Sequence, residues 1–209
     1  MGKTPINAKL YQWIYENIEG YGRAEKSHCP GIRAYPYSKQ WINPKKPLKD
    51  LGCGTGQTVE FYRKKNIDAR GCDWINPINE HCRQGDITKT MDLGRYYTVT
   101  CFDVIEHLNN AQVKGLFLNM VQCERQIFTI ANTPSIIKKG EEEIDLHINK
   151  KSFPTWRGII IDYFDIVQEF EMRDYQHLYL CQRKQGDKSL INYLENKGYI
   201  ITKEDEKWL

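Results

Sequence analysis

The sequence predicts an α/β domain: a seven-stranded, mostly parallel sheet with helices on both faces and an antiparallel pair of strands at the C-terminal end. Three observations carry this. Strand-like and helix-like segments alternate from residue 48 to about residue 160. A glycine-rich turn, Asp50-Leu51-Gly52-Cys53-Gly54-Thr55-Gly56, joins the first of these strands to a helix. Two strand-like segments, residues 161–172 and 177–184, then follow one another with only a short connection. Alternation requires crossovers between parallel strands, whereas the final pair needs only a tight reversal.

Residues 8–19 (AKLYQWIYENIE) place Leu10, Trp13, Ile14 and Ile18 near helical spacing, and Gly20 and Gly22 end that helix. Residues 23–47 read as an irregular leader, with Pro30, Pro36, Pro44 and Pro47 among the aromatics Tyr35, Tyr37 and Trp41. Residues 1–47 are expected to pack on the domain that follows. A short strand from Leu48 runs into the glycine turn, then a helix over 57–66 and a second strand over 67–74. Residues 81–87 (HCRQGDI) suggest a short third strand. Residues 96–104 (YYTVTCFDV) have the β-branched and aromatic composition of a buried fourth strand. A helix over 110–123 and a fifth strand over 125–133 follow, the strand ending at Pro134. A charged loop leads to a helix near 150–159 and then to the two late strands. Residues 185–209 form a helical appendage with a stop at Gly198 and a polar tail. The expected boundaries are therefore 1–47, 48–184 and 185–209.

Composition narrows the functional classes. The chain has 209 residues, 40% of them apolar, so a wholly disordered chain is excluded. Mean hydropathy is −0.65, and no apolar run nears the roughly 18 residues of a membrane span. The first 20 residues mix charged and apolar side chains, unlike a signal peptide. A net charge of +3 is too mild to argue for nucleic acid by itself. Seven cysteines, an odd number without CxxC spacing, read as reduced thiols of a cytoplasmic protein and argue against a zinc site.

The glycine turn is the strongest chemical signal. Its glycines permit a tight bend and let a ligand approach the backbone, and the helix that follows offers free N–H groups. Asp50 precedes the turn. A carboxylate there repels a diphosphate but accepts hydrogen bonds from an ammonium group, which favours a cofactor bearing an amino acid. Asp73 ends the second strand 21 positions after Gly52, where an acid can grip ribose hydroxyls. Trp74 beside it could pack on a purine. Gly85-Asp86-Ile87 offers an acid for an adenine amino group and an apolar contact for its ring.

With these residues in order, the chain resembles the class I S-adenosylmethionine-dependent methyltransferases over about residues 48–184. The resemblance implies a Rossmann-like domain that binds S-adenosyl-L-methionine. Gly52, Cys53, Gly54 and Gly56 would border the methionine part with Asp50, Asp73 and Trp74 would face the ribose and adenine, and Asp86 with Ile87 the adenine. The family usually has an apolar residue before the motif's acid. Lys49 stands there instead, after Pro44-Lys45-Lys46-Pro47, so the first strand is expected to be short or locally exposed.

Residues 103–108, Asp-Val-Ile-Glu-His-Leu, follow the fourth strand, and ligands sit beyond the carboxyl ends of parallel strands. Asp103, Glu106 and His107 are thus expected near the transferring methyl. The segment, with the later Thr129–Pro134 stretch and Asp145-Leu146-His147, resembles a subset that includes ubiquinone-pathway O-methyltransferases. In one reading His107 or His147 takes a proton from an acceptor hydroxyl. In another, Glu106, His107 and His147, with Asp103, hold Mg or another divalent ion, as in the small-RNA 3′-end ribose methyltransferases that this segment also resembles. In a third, Glu106 and His107 only cap the following helix. His28, His81 and His177 read as surface or packing residues.

Basic runs at 63–65, 138–139 and 150–151 read as solvated faces, the latter two separated by Glu141-Glu142-Glu143. Tyr35, Tyr37, Trp41, Trp156 and Tyr163 could line an acceptor pocket, though aromatics more often fill a core. The favoured activity is O-methylation of a small-molecule acceptor. The alternatives are 2′-O-methylation of RNA or a nucleotide, and a catalytically silent module that binds the same cofactor or a partner.

Overall fold

The computed structural model describes residues 6–18 and 29–184. The expected appendage at 185–209, the glycine stops at Gly20 and Gly22, and His28 lie outside the described residues.

Seven strands form the main sheet: β1 (Leu48–Leu51), β2 (Ala69–Asp73), β3 (Cys82–Gln84), β4 (Thr98–Cys101), β5 (Arg125–Ala131), β8 (Phe164–Arg173) and β9 (Gln176–Arg183). Their order is β3-β2-β1-β4-β5-β9-β8. The first five are mutually parallel. β9 lies antiparallel between β5 and β8. The order reverses between β1 and β4, and a crevice opens past their carboxyl ends. This is the expected architecture.

Successive strand residues point to opposite faces. Tyr179 and Cys181 of β9 join a core with α4 (Asn110–Met120) and α5 (Phe153–Ile160). Leu178 and Leu180 join another with α2 (Pro30–Ser38) and α3 (Gln57–Arg63). All four residues of β1 and of β4 are buried. β1 is short, as expected, but Lys49 is not locally exposed. It is 3% exposed; its Nζ donates to the Gly71 carbonyl at 2.9 Å and stands over the Tyr96 ring. A carbonyl and an aromatic face replace the water that a buried ammonium loses.

Two segments differ from expectation. Residues 30–38 are helical rather than irregular. Pro30 is the first helical residue, where a missing N–H costs nothing. α2 lies close on α3: a β-carbon on Gly31 would stand 2.4 Å from Thr58 Cγ2. The charged loop after Pro134 contains a hairpin of β6 (Ile136–Lys139) and β7 (Glu142–Asp145), turned at Gly140 with φ 64°. Lys138 pairs across it with Glu143 at 3.3 Å. Its apolar side, Ile137 and Ile144, packs with Leu146 against Leu10 and Ile14 of α1 (Ala8–Asn17). The runs of Lys and Glu outnumber the two isoleucines and hide the period-two pattern. The helix expected over 57–66 stops at Arg63, and Asn66 takes a left-handed φ of 60°.

Two buried amides fix the segment that leads from β3. Asn119 Nδ2 donates to the carbonyls of Ile87 and Lys89, at 2.8 and 2.7 Å, and its Oδ1 accepts from Met91 N. Gln122 similarly holds Met91 O and Leu93 N. Asn119→Leu would leave three backbone groups unsatisfied. The expected loss is about 3 kcal/mol or more, read as a lower denaturation midpoint with unchanged slope in urea unfolding.

Candidate functional site

A cavity of about 570 Å³ occupies the crevice at the strand-order reversal. Its floor is the glycine turn. Gly52 and Gly54 have φ of 76° and 53°, a conformation that side chains disfavour. A β-carbon on Gly52 would stand 2.3 Å from Val104 Cγ2. Gly56, also in the left-handed region, starts α3 but does not face the cavity, whereas Gly52, Cys53 and Gly54 do.

Two carboxylates stand at the ends of adjacent strands. Asp50 is 2% exposed, and its Oδ1 accepts from Thr100 Oγ1 at 2.6 Å. Burial pushes its pKa up to about 7, against the pull of that hydrogen bond and with help from the charge of Asp73. Asp73 ties the turn to β2: Oδ2 accepts from Gly54 N at 2.7 Å and Oδ1 from Ile75 N at 3.0 Å. Burial raises its pKa too, while those backbone donors oppose the rise. Trp74 and Ile87 line the same cavity, but Asp86 does not. Asp86 Oδ1 accepts from the Trp74 indole at 2.9 Å and from the backbone and hydroxyl of Thr88. It therefore acts on the cavity wall by holding Trp74.

The segment after β4 supplies the opposite side. Asp103 adopts φ 53°, which costs energy for a non-glycine residue. Its side chain is held from three directions. Oδ1 accepts from Thr129 Oγ1 at 2.6 Å and from Gln176 Nε2, and Oδ2 faces Arg33 Nη2 at 3.5 Å. Glu106 is fully buried. Its Oε1 accepts from Ala131 N at 3.0 Å, and its Oε2 has no partner among the described residues. Burial, then the charge of Asp103, raises its pKa well above the carboxylate range.

His107 and His147 meet edge to face, with ring centroids 4.5 Å apart. His107 Nδ1 lies 3.0 Å from Leu146 O, and Tyr11 Oη is 2.7 Å from the same nitrogen. His147 Nδ1 contacts Thr133 O. A carbonyl oxygen only accepts, so these contacts favour the proton on Nδ1 and leave Nε2 with its lone pair. Burial, reinforced by His147, lowers the His107 pKa to about 3; burial also lowers that of His147. Both rings are neutral at neutral pH. One ligand atom each from Glu106, His107 and His147 fall within 4.8 Å of one another. Asp103 is outside this cluster.

The cavity thus brings together every expected site residue except Gly56 and Asp86. It also includes residues that the sequence reading passed over. Arg33 projects from α2, within the segment read as irregular. Tyr11 and Tyr15 lie one turn apart on α1, beside the apolar stripe that marks the helix in the sequence. The aromatics considered for an acceptor pocket are elsewhere. Trp156 and Tyr163 belong to the α4/α5 core, Tyr35 and Trp41 pack on the other face, and Tyr37 packs against Phe170. His177 stacks on Phe153 and bonds Glu169, and His81 lies beside Glu80, as packing and surface residues do.

No known family profile matches the chain, and no curated protein matches it in sequence. Solved structures do match in fold. The PH0226 protein from Pyrococcus horikoshii OT3 superposes with a TM-score of 0.63 at 14% identity, over 81% of this chain and 98% of that one. The 1,6-didemethyltoxoflavin-N1-methyltransferase of Burkholderia thailandensis, with bound 1,6-didemethyltoxoflavin and S-adenosylhomocysteine, gives 0.61 at 8% identity, over 85% and 87% of the two chains. The magnesium protoporphyrin IX methyltransferase of Synechocystis PCC 6803, with bound S-adenosylmethionine, gives 0.61 at 12% identity, over 88% and 100%. The seven-stranded sheet of this chain is thus similar in fold to solved methyltransferases that hold S-adenosylmethionine or S-adenosylhomocysteine, a Rossmann-like α/β architecture.

Proposed function

We propose that the protein transfers a methyl group from S-adenosylmethionine to a hydroxyl of a small-molecule acceptor, in the cytoplasm, where its seven free thiols would persist. One observation carries the reading. A single cavity joins an acidic, glycine-floored half, built by Asp50, Gly52, Gly54 and Asp73, to a half that presents two neutral imidazoles. Asp50, Asp73 and Asp103 face that cavity with Arg33 and Arg173, and Asp50 and Asp73 stand at its glycine floor, where a cationic group of the ligand would meet them.

When bound, S-adenosylmethionine supplies an electrophilic methyl on a sulfonium. The chain's part is to bind, align and exclude water. Asp50 would accept from the ammonium group. Arg33, which makes one long ion pair with Asp103, would meet the carboxylate. The outer lone pairs of Asp73 would take ribose hydroxyls, with Trp74 and Ile87 flanking the adenine and Asp86 holding the Trp74 indole in place. His107 or His147 would accept the hydroxyl proton at Nε2.

A second reading rests on the three ligand atoms of Glu106, His107 and His147. Each imidazole contacts a carbonyl through Nδ1, as metal-binding histidines commonly do, and Glu106 Oε2 has no partner among the described residues. These residues would hold a divalent ion such as Mg, which would polarise an acceptor hydroxyl. A nucleotide or RNA ribose is the acceptor this reading would suit.

Calorimetry with S-adenosylmethionine tests the first claim. Asp73→Ala should weaken binding by about tenfold to a hundredfold, the worth of one or two charge-assisted hydrogen bonds. An unchanged affinity contradicts the assignment. The double variant His107→Ala, His147→Ala should keep that affinity and lose about a hundredfold or more in methyl-transfer rate. Loss of rate in EDTA, restored by Mg, selects the metal reading over the metal-free base.

Asp50 makes both stability and binding depend on pH. Its folded pKa of about 7 exceeds the reference value of 3.8, so the folded state binds more protons between those values. The group's contribution to stability is therefore fully present below pH 3.8 and is lost as pH rises through about 7. Affinity for the cationic cofactor should rise over the same upper range, as the carboxylate ionises. Asp50→Asn should flatten both slopes, read by thermal unfolding and by calorimetry across pH.

A further inference from the structure

Two thiols at the glycine turn neither give nor take a proton in the proposed methyl transfer. Cys53 is its middle residue, and Cys82 opens β3. Between them lies Gly71 of β2, in register with Asp50 on one side and Cys82 on the other. A β-carbon on Gly71 would stand 2.5 Å from Cys53 Sγ and 2.5 Å from Cys82 Sγ. The sulfurs thus reach over the same glycine from either side, no farther apart than twice that distance. Cys82 Sγ also lies 2.9 Å from where a β-carbon on Gly56 would be. It therefore abuts the far end of the turn whose centre is Cys53.

The two thiols differ in character. Cys53 is buried, and the neighbouring Cys82 thiol together with burial raises its pKa. Cys82 is only half-buried; the neighbouring Cys53 thiol lowers its pKa against the opposing effect of burial, and the Lys49 ammonium adds to the lowering. By contrast, burial raises the thiol pKa of Cys29, Cys72, Cys101 and Cys181. An accessible, acidified thiol beside a second thiol is the arrangement that oxidises and then resolves.

We propose that Cys53 and Cys82 form a reversible oxidation site, at which a peroxide joins the two sulfurs in a disulfide that clamps the glycine turn to β3 and closes the cavity to its nucleoside ligand. The Cys82 thiolate attacks one peroxide oxygen, the O–O bond breaks, and the departing oxygen takes up a proton to leave as water. The sulfur of Cys53 then attacks the sulfenic acid on Cys82. The S–O bond breaks, and a second water leaves with the proton of Cys53. The sulfurs together lose two electrons, and the peroxide gains them. A disulfide is about 2.05 Å long, shorter than a thiol–thiol contact, so the bond must draw Cys53 toward β3. Gly52 and Gly54, which line the cavity, would move with it. A dithiol reverses the step. The effect on the ligand rests on the methyltransferase reading; the disulfide itself does not.

The test treats the full-length chain with hydrogen peroxide, blocks the remaining thiols with N-ethylmaleimide, and maps linked peptides by mass spectrometry. The expected result is a peptide pair joined through Cys53 and Cys82, lost on adding dithiothreitol and missing from Cys82→Ser and Cys82→Ala. Calorimetry with S-adenosylhomocysteine should show binding lost in the oxidised chain and restored by dithiothreitol. Either Cys82 variant should keep its binding through the same treatment. Failure to form the linked pair overturns the proposal, as does a linked chain that binds the nucleoside unchanged. A reduced wild-type chain that does not bind it overturns the methyltransferase reading instead, while the linked pair still decides whether the thiols join.

Discussion

The Asp73 carboxylate, which takes one backbone N–H from the glycine turn and one from the loop after β2, is the interaction on which the site depends. It fixes the turn against the neighbouring strand while leaving its own outer edge toward the cavity. Gly54 can approach that carboxylate because its φ of 53° is open to glycine. The pairing of β1 with β2 sets Asp50 and Asp73 on adjacent strand ends, and the Asp73–Gly54 bond holds the turn between them. Asp103 is the counterpart across the cavity. Its own left-handed backbone is maintained by Thr129, Gln176 and Arg33, drawn from β5, β9 and α2. Strain of this kind persists where surrounding structure over-determines it.

Charge and burial divide the cavity into two halves. In the half floored by the glycine turn, burial raises the pKa values of Asp50 and Asp73, so a cationic group placed there, as the proposed function requires, would favour their ionised forms. In the other half, burial lowers the pKa values of His107 and His147 and so disfavours their charged forms. Carbonyls at Nδ1 turn the basic nitrogen of each toward shared space. The same set can serve as a proton acceptor or as a metal ligand, because both roles require a neutral imidazole with Nε2 unprotonated.

The main sheet was legible because its order is dictated locally. Short apolar strands, a glycine turn and helix-forming stretches recur in sequence, and each crossover has one favoured hand. The acids at 50 and 73 were legible because they sit at fixed places relative to that turn. What escaped was whatever depends on partners remote in sequence. Pro30 and Pro36 signalled a break, yet α2 forms because Pro30 stands where a helix accepts it and Gly31 lets the helix lie close on Thr58. The β6–β7 hairpin is amphipathic only with respect to α1, whose Leu10 and Ile14 cover its isoleucines. Lys49 suggested exposure, but Gly71 O and Tyr96, from β2 and the approach to β4, stand in for water. Arg33 and Tyr11 carry no motif of their own and become site residues only when α1 and α2 fold over the turn.

A crystal structure grown with S-adenosylhomocysteine tests the central claim most directly. The account predicts the nucleoside lying across Gly52–Gly54, its ribose hydroxyls within hydrogen-bonding distance of Asp73 and its ammonium group at Asp50. A ligand bound elsewhere on the chain, or clear density for a cavity that stays empty at saturating ligand, would contradict it.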